Sequence, residues 1–186
     1  MHQATADLVK IARQHAKTLN FAIIFGAGKA RIAEMLNLST DEADELLNMY
    51  FSELPNVKKF IADVKGAAKQ RGFLFNLAGR MISYPDRSKA YTGPNHIVQG
   101  GTADIFKVAL NGIDEYLLNK KSKLSLVVHD EAVLNVHKSE LGIVPDIQAI
   151  MENAYAYKYL PMKVEVSHSW KNMAEKKKGY PKALNQ

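Results

Sequence analysis

The sequence predicts an α+β chain, and three observations predict it. Apolar residues recur at three- and four-residue spacing from Ala4 to about Gly72, broken only by glycine, serine and proline. The segment FLFNLAGRMISY, Phe73 to Tyr84, switches to strand-like composition. A second β-rich stretch, LSLVVHDEAVLNV from Leu124 to Val136, places two runs around a carboxylate pair. Helices gathered at the front and hairpins behind them exclude a regular βα alternation.

The elements follow in order. Ala4 to Phe25 is helical with a break near Lys10, and Gly26 and Gly28 end it as C-terminal glycines. A helix runs from about Lys29 to Leu36. Ser39 with Glu42 forms a capping box that opens a helix to about Phe51, and Pro55 opens another ending near Gly72. Phe73 to Tyr84 folds back at Ala78-Gly79, and a loop holds Pro85, Gly93 and Pro94. A helix from about Asn95 to Leu118 presents Gln99, Ala103, Phe106 and Leu110 on one face. After the Leu124 to Val136 hairpin, which turns at Asp130-Glu131, come a helix from about Ser139 to Tyr157 and a strand from Met162 to His168. Trp170 and a basic tail, EKKKGYPK, close the chain.

At 186 residues the chain can bury a core of ordinary size. Its 25 Lys and Arg against 19 Asp and Glu give a formal charge of +6, which suits a polyanionic partner. The absence of Cys excludes disulfides and thiolate metal sites and fits a reducing compartment. No apolar run reaches membrane-spanning length, and His2, Asp7 and Lys10 interrupt any leader-like segment. The expectation is a soluble, cytoplasmic protein without a membrane partner.

Two stretches carry chemistry. Arg13, Lys17, Phe21 and Phe25 fall four apart, so one helix face offers two cations and then two flat rings. That order suits a polyphosphate joined to a planar base, a nucleotide, and suits equally a solvated charged edge beside packed aromatic residues. Asp130 and Glu131 at a strand end are hard oxygen ligands for Mg²⁺, or a solvated acidic turn. His129 beside them is a ligand or a hydrogen-bonding structural residue. Gly26-Ala27-Gly28-Lys29 resembles a phosphate loop only faintly, because it follows a helix and lacks the Gly-Lys-Ser/Thr ending.

Taken in order, RQHAKTLNFAIIFG, GRMISYP, NHIVQGGTADIFK, VVHDEAV, IMENAY and LPMKVEV with Trp170 resemble the C-terminal part of the family A DNA polymerases. The first looks like motif B of the fingers and VVHDEAV like motif C of the palm. The resemblance implies a partial polymerase right hand: helical fingers over about residues 1–72, a hairpin and loop over about 73–94, and a long helix with C-terminal palm and basic tail over about 95–186. It implies that His2, Arg13 and Lys17 hold an incoming triphosphate, Lys17 counting with Asp130 as catalytic, and that Phe21 and Phe25 pack on sugar and base. It further implies DNA contacts from Asn95, Gln99 and His129, and a Mg²⁺ site at Asp130 supported by Glu131. Three positions depart: Phe25 stands for a usual Tyr, Tyr91 for a usual Arg that contacts DNA, and Gly101 for a usual Thr. Phe21, where some members have Tyr, implies discrimination against nucleotides lacking a 3′ hydroxyl. Single-subunit RNA polymerases are disfavoured by Asn20-Phe21 and Glu131.

Family A catalysis uses a second aspartate, from motif A, upstream of motif B. Neither Asp7 nor Asp41 has the strand setting it needs, so the two-metal site is expected to be incomplete and the chain inactive alone. Met1 standing close before motif B points to a separate start, from a split gene or a truncated frame. A second polypeptide with motif A, thumb and remaining palm is the expected partner, besides primer-template DNA and dNTPs. The alternative is a remnant that binds primer-template or nucleotide without chemistry; a purely structural protein would not need Arg13, Lys17, Gln99 and Asp130 together.

Overall fold

The structure, a computed structural model, describes residues 2–155, 162–169 and 175–181. Met1, the expected helix end at Ala156 and Tyr157, the start of LPMKVEV at Leu160 and Pro161, Trp170 and Lys182 lie outside them. The chain divides into two compact units, Met1–Gly101 and Thr102–Gln186.

Unit 1 is mostly helical. α1 (His2–Leu8) and α2 (Arg13–Ile24) are separated at Lys10, whose φ of 54° breaks the helix where the sequence places the break. α2 ends at Phe25, its C-cap, and Gly26 follows with φ 78°. Gly28 does not belong to that stop; it is the extended N-cap of α3 (Lys29–Leu36). α4 (Thr40–Glu53) opens on the Ser39–Glu42 capping box with both reciprocal bonds formed, and runs two residues past Phe51. α5 (Pro55–Arg71) starts on its proline and stops at Gly72, φ 83°. β1 (Phe73–Phe75) and β2 (Met81–Ser83) pair antiparallel, and the Asn76 side-chain oxygen accepts from the Ala78 and Arg80 amides to shape their connection.

The core of this unit gathers Leu19, Ala22 and Ile23 of α2 with Ile32, Leu36, Leu46 and Tyr50. One buried polar residue fixes α2 within it. Asn20 accepts from the Tyr50 hydroxyl at 2.9 Å and donates to the Thr5 hydroxyl at 3.0 Å, tying α2 to α4 and α1. Burial raises the Tyr50 pKa, which keeps that phenol a donor.

A 3₁₀ turn, Arg87–Thr92, leads into α6 (Gly93–Leu117), so Gly93 and Pro94 are not loop but first turn, where the missing proline N–H costs nothing. In unit 2, β3 (Lys123–Val128) and β4 (Glu131–Asn135) form an antiparallel hairpin with an irregularity between Leu124 and Leu126. Ala132, Leu134 and Val136 alternate onto a core of Ile113, Leu117, Ile143 and Ile147.

Two expectations for this unit are corrected. The helix expected from Ser139 is a 3₁₀ turn, Lys138–Ile143, with non-helical angles at Glu140, followed by α7 (Val144–Glu152) starting beside Pro145. The strand expected over Met162–His168 reduces to β5 (Ser167–His168), paired with β6 (Lys177–Lys178). Before it, the amide and carbonyl of Val164 bond to the side chains of Glu152 and Gln148, so α7 takes the hydrogen bonds a neighbouring strand would have made. The described residues thus join helices with three two-stranded antiparallel sheets, the α+β class expected.

Candidate nucleotide and nucleic-acid interface

Unit 1 presents the α2 stripe to solvent. Arg13, Lys17, Phe21 and Phe25 are all exposed, while Ala16, Leu19, Asn20, Ala22 and Ile23 face inward. Phe21 and Phe25 each keep 47% of their surface accessible, which decides against packed core residues. Their ring centroids lie 6.5 Å apart. The rings border a cleft of about 440 Å³ whose lining also includes Gly26, Arg31, Met35 and Tyr91. Arg31, the charged residue of that lining, is bonded to Glu34 at 2.5 Å. His2 belongs to α1.

α6 carries Asn95 and Gln99 within the same unit. Gln99 is exposed; Asn95 is half-buried, and its Oδ1 is buried without a hydrogen-bond partner among the described residues. A Cβ at Gly101 would meet Leu77 at an ordinary 3.8 Å, so the local space does not require glycine there.

In unit 2 the hairpin tip differs by one residue from expectation. His129 and Asp130 form the turn, and Glu131 is the first residue of β4, paired with Val128. His129 takes φ 56°, the left-handed region that hairpin turns demand and in which His is among the better tolerated side chains. Asp130 is exposed at the tip. The Glu131 carboxylate accepts from the Lys176 ammonium of the tail. Among the described residues no group of three or more His, Cys, Asp or Glu gathers as a metal site. The donors that are present, the Asp130 carboxylate at the turn and Glu131 next to it on β4, are hard oxygens of the kind Mg²⁺ takes, one or two from protein with water and phosphate filling its shell.

The hairpin base is locked independently. Glu140 accepts from the Ser122 hydroxyl at 2.6 Å and from the amides of Lys121 and Ser122, while the fully buried Ser122 hydroxyl accepts from the His137 amide. The Ser122 hydroxyl and then the Lys121 amide hold the Glu140 carboxyl down to about 2.

The sequence matches DNA polymerase family A over residues 1–174. This chain belongs to that family. It is 32% identical over 179 residues to DNA polymerase I of Geobacillus stearothermophilus and 35% identical over 173 residues to that of Caldicellulosiruptor bescii, covering 88% and 87% of this chain. The chain spans about one fifth, 20%, of either relative. Its structure resembles the POL domain of Pol1 from M. smegmatis, in complex with DNA primer-template and dNTP, with TM-score 0.78 and 27% identity over 83% of this chain and 31% of that one.

The segments RQHAKTLNFAIIFG, GRMISYP, NHIVQGGTADIFK and VVHDEAV fall on α2, the β1–β2 hairpin, α6 and the β3–β4 tip. Unit 1 holds Arg13, Lys17, Phe21 and Phe25 on one face of α2 and, separately on α6, Asn95 and Gln99. Unit 2 brings together His129, Asp130 and Glu131. Sequence reasoning missed Asn20 as the anchor of α2, the Ser122–Glu140 lock and the Lys176 partner of Glu131. It also missed Tyr84, whose buried hydroxyl lies 2.9 Å from His96 Nδ1. Their partners lie 12 to 45 residues away, beyond any local pattern. Among the described residues no helix is long and apolar enough to cross a membrane.

Proposed function

We propose that this chain is the fingers and C-terminal palm part of a DNA-directed DNA polymerase, which joins dNTPs to a primer 3′ end under the direction of a template in replication or repair. The observation that carries this reading is the exposed α2 stripe, two cations and two half-exposed rings on one helix face.

On this reading Arg13 and Lys17, about 6 Å apart along the axis, bind and orient the triphosphate, and His2 contacts the same phosphates. Phe21 packs on the sugar and base, and Phe25 covers the new base pair. Gln99 and Asn95 contact DNA, and His129 lies against the primer terminus. Asp130 would hold Mg²⁺ with Glu131 in support; when bound, that ion neutralises phosphate charge and activates the attacking hydroxyl. The organisation follows the fingers, hairpin and palm spans given above.

A second polypeptide with motif A, the thumb and the remaining palm is proposed to complete the site. What supports this is a groove of about 650 Å³ in unit 2, bordered by β4 and Val136 on one side and by residues 163–169 on the other. A strand laid along β4 on the side away from β3 would meet an edge that no described strand pairs and bring its own carboxylate toward Asp130. The pairing of Glu131 with Lys176 favours a second reading, a member that binds primer-template without chemistry.

The test is Mg²⁺-dependent extension of a labelled primer-template by this chain, alone and mixed with a fragment carrying motif A and the thumb, with Asp130→Asn as control. Extension in the mixture only, lost in the control, is expected. A mixture that associates but extends nothing overturns the catalytic reading and leaves the binding one.

A further inference from the structure

We propose that the tail residues 175–181 form a releasable strap that shuts the groove beside β4 by pairing Lys176 with Glu131, and that a divalent cation taken up by Asp130 and Glu131 displaces it. The inference rests on the polymerase reading for the cation alone.

The strap lies outside the shared pattern, because the family match ends at residue 174. It returns antiparallel along the segment that borders the groove. Lys177 and Lys178 of β6 pair with His168 and Ser167 of β5, and the Gly179 amide donates to the Val166 carbonyl at 2.7 Å. The Lys178 ammonium donates to Glu165 at 2.9 Å, and the Tyr180 hydroxyl donates to Gln148 of α7. Anchored on that side, the tail reaches the opposite border through Lys176, whose ammonium donates to the Glu131 carboxylate at the start of β4. Lys176 and Pro181 both line the groove. The tail thus ties the two borders together beside the hairpin tip.

Its fastenings are weak in kind. The side chains of Lys178 and Glu165 are each 84% exposed, and an ion pair so open to water stabilises little. β5 and β6 have two residues each, too few for a two-stranded ribbon to hold by itself. The side chains of Lys176 and Glu131 are more sheltered, 33% and 46% exposed, so their contact decides whether the strap is seated. Segments held in this way are among the first to open.

The chemistry makes the two occupants of Glu131 rivals. An ammonium satisfies the carboxylate with a charge-assisted hydrogen bond. A divalent cation needs the same oxygens and is repelled by the ammonium held on them. Cation binding and strap seating therefore oppose one another, and by linkage each weakens the other by the same factor. Asp130 stays exposed at the tip, so a cation has its first ligand before the strap lets go. Release then frees Glu131 and opens the groove in one step.

The test follows hydrogen exchange of the Gly179 amide by NMR in the whole chain, with MgCl₂ or with NaCl at equal ionic strength. In wild type, Mg²⁺ should speed exchange over NaCl by roughly 1.4- to 5-fold, the range an exposed ion pair supplies. Lys176→Ala should exchange faster by the same factor in NaCl and respond no further to Mg²⁺, and Lys176→Arg should restore both the slow exchange and the response. Lys177→Ala, which removes an equal charge from the neighbouring residue, should keep the response. Mn²⁺ binding, read by water-proton relaxation and lost in Asp130→Asn, should tighten in Lys176→Ala by that same factor. Wild-type exchange that is equal in Mg²⁺ and NaCl, alongside Asp130-dependent Mn²⁺ binding, overturns the strap and leaves the polymerase reading in place. No Asp130-dependent Mn²⁺ binding overturns both the strap and the metal site of that reading. A response lost as fully in Lys177→Ala as in Lys176→Ala reduces the effect to general charge and overturns the role of Lys176.

Discussion

Phe21 is where the packed and the nucleotide-binding readings of α2 part. A packed phenylalanine is covered by its own unit, yet this one stands on the open face, one helical turn from Lys17. The family pattern links Phe here with rejection of nucleotides lacking a 3′ hydroxyl. Phenylalanine offers no hydroxyl to replace the one the sugar has lost, whereas tyrosine offers one at the ring's far end. In the reconstituted enzyme, Phe21→Tyr should therefore raise incorporation of dideoxynucleotides relative to deoxynucleotides by about tenfold, the worth of one good hydrogen bond. Competitive incorporation with both nucleotide types measures the ratio; equal ratios for the two proteins would remove Phe21 from sugar selection.

At the scale of elements, the β3–β4 hairpin depends on a lock that the sequence hides. Ser122 and His137 flank the two strands, and Glu140 joins them from the following 3₁₀ turn. The folded Glu140 carboxyl, held at about 2, releases its proton more readily than the unfolded one near 4.5. Its stabilising effect is therefore complete above about pH 4.5 and is lost as pH falls through about 2. Thermal unfolding followed between those values should show Glu140→Gln with a shallower loss of stability than wild type. Parallel curves would mean that the lock does not form.

What the sequence made legible at this scale is what is written locally. The Ser39–Glu42 box, the Pro55 start and the Gly72 stop each state a helix end within four residues, and each stands where expected. The hairpin was legible from its β-rich runs, but its turn was displaced by one residue because His129, not Gly or Asn, occupies the left-handed position. The strand over Met162–His168 was misread because β composition does not say whether a partner strand lies alongside. Of the candidate site, the stripe and the tip were readable from spacing. Asn20, Ser122 and Lys176 were not, since only folding brings their partners near.

At the scale of the molecule, each unit buries a core and yet leaves apolar surface open. On β3, Leu126, Val127 and Val128 are 55%, 43% and 43% exposed, three in a row beside an unpaired strand edge. Burying one such side chain contributes about 1.5–3 kcal/mol, and an open edge supplies the backbone hydrogen bonds to go with it. The chain alone should therefore self-associate, its light-scattering mass rising above 20.7 kDa with concentration. Leu126 and Val128 pair with Val133 and Glu131, on the face opposite the packed row of Ala132 and Leu134, whereas Val127 pairs with Ala132 on the packed side. The double change Leu126→Lys with Val128→Lys thus adds charge to the open face without entering the core. It should restore a monomeric mass and shift stability by no more than about 0.5 kcal/mol, the usual scale of surface changes. A wild-type mass that stays monomeric at every concentration would show that this face needs no cover.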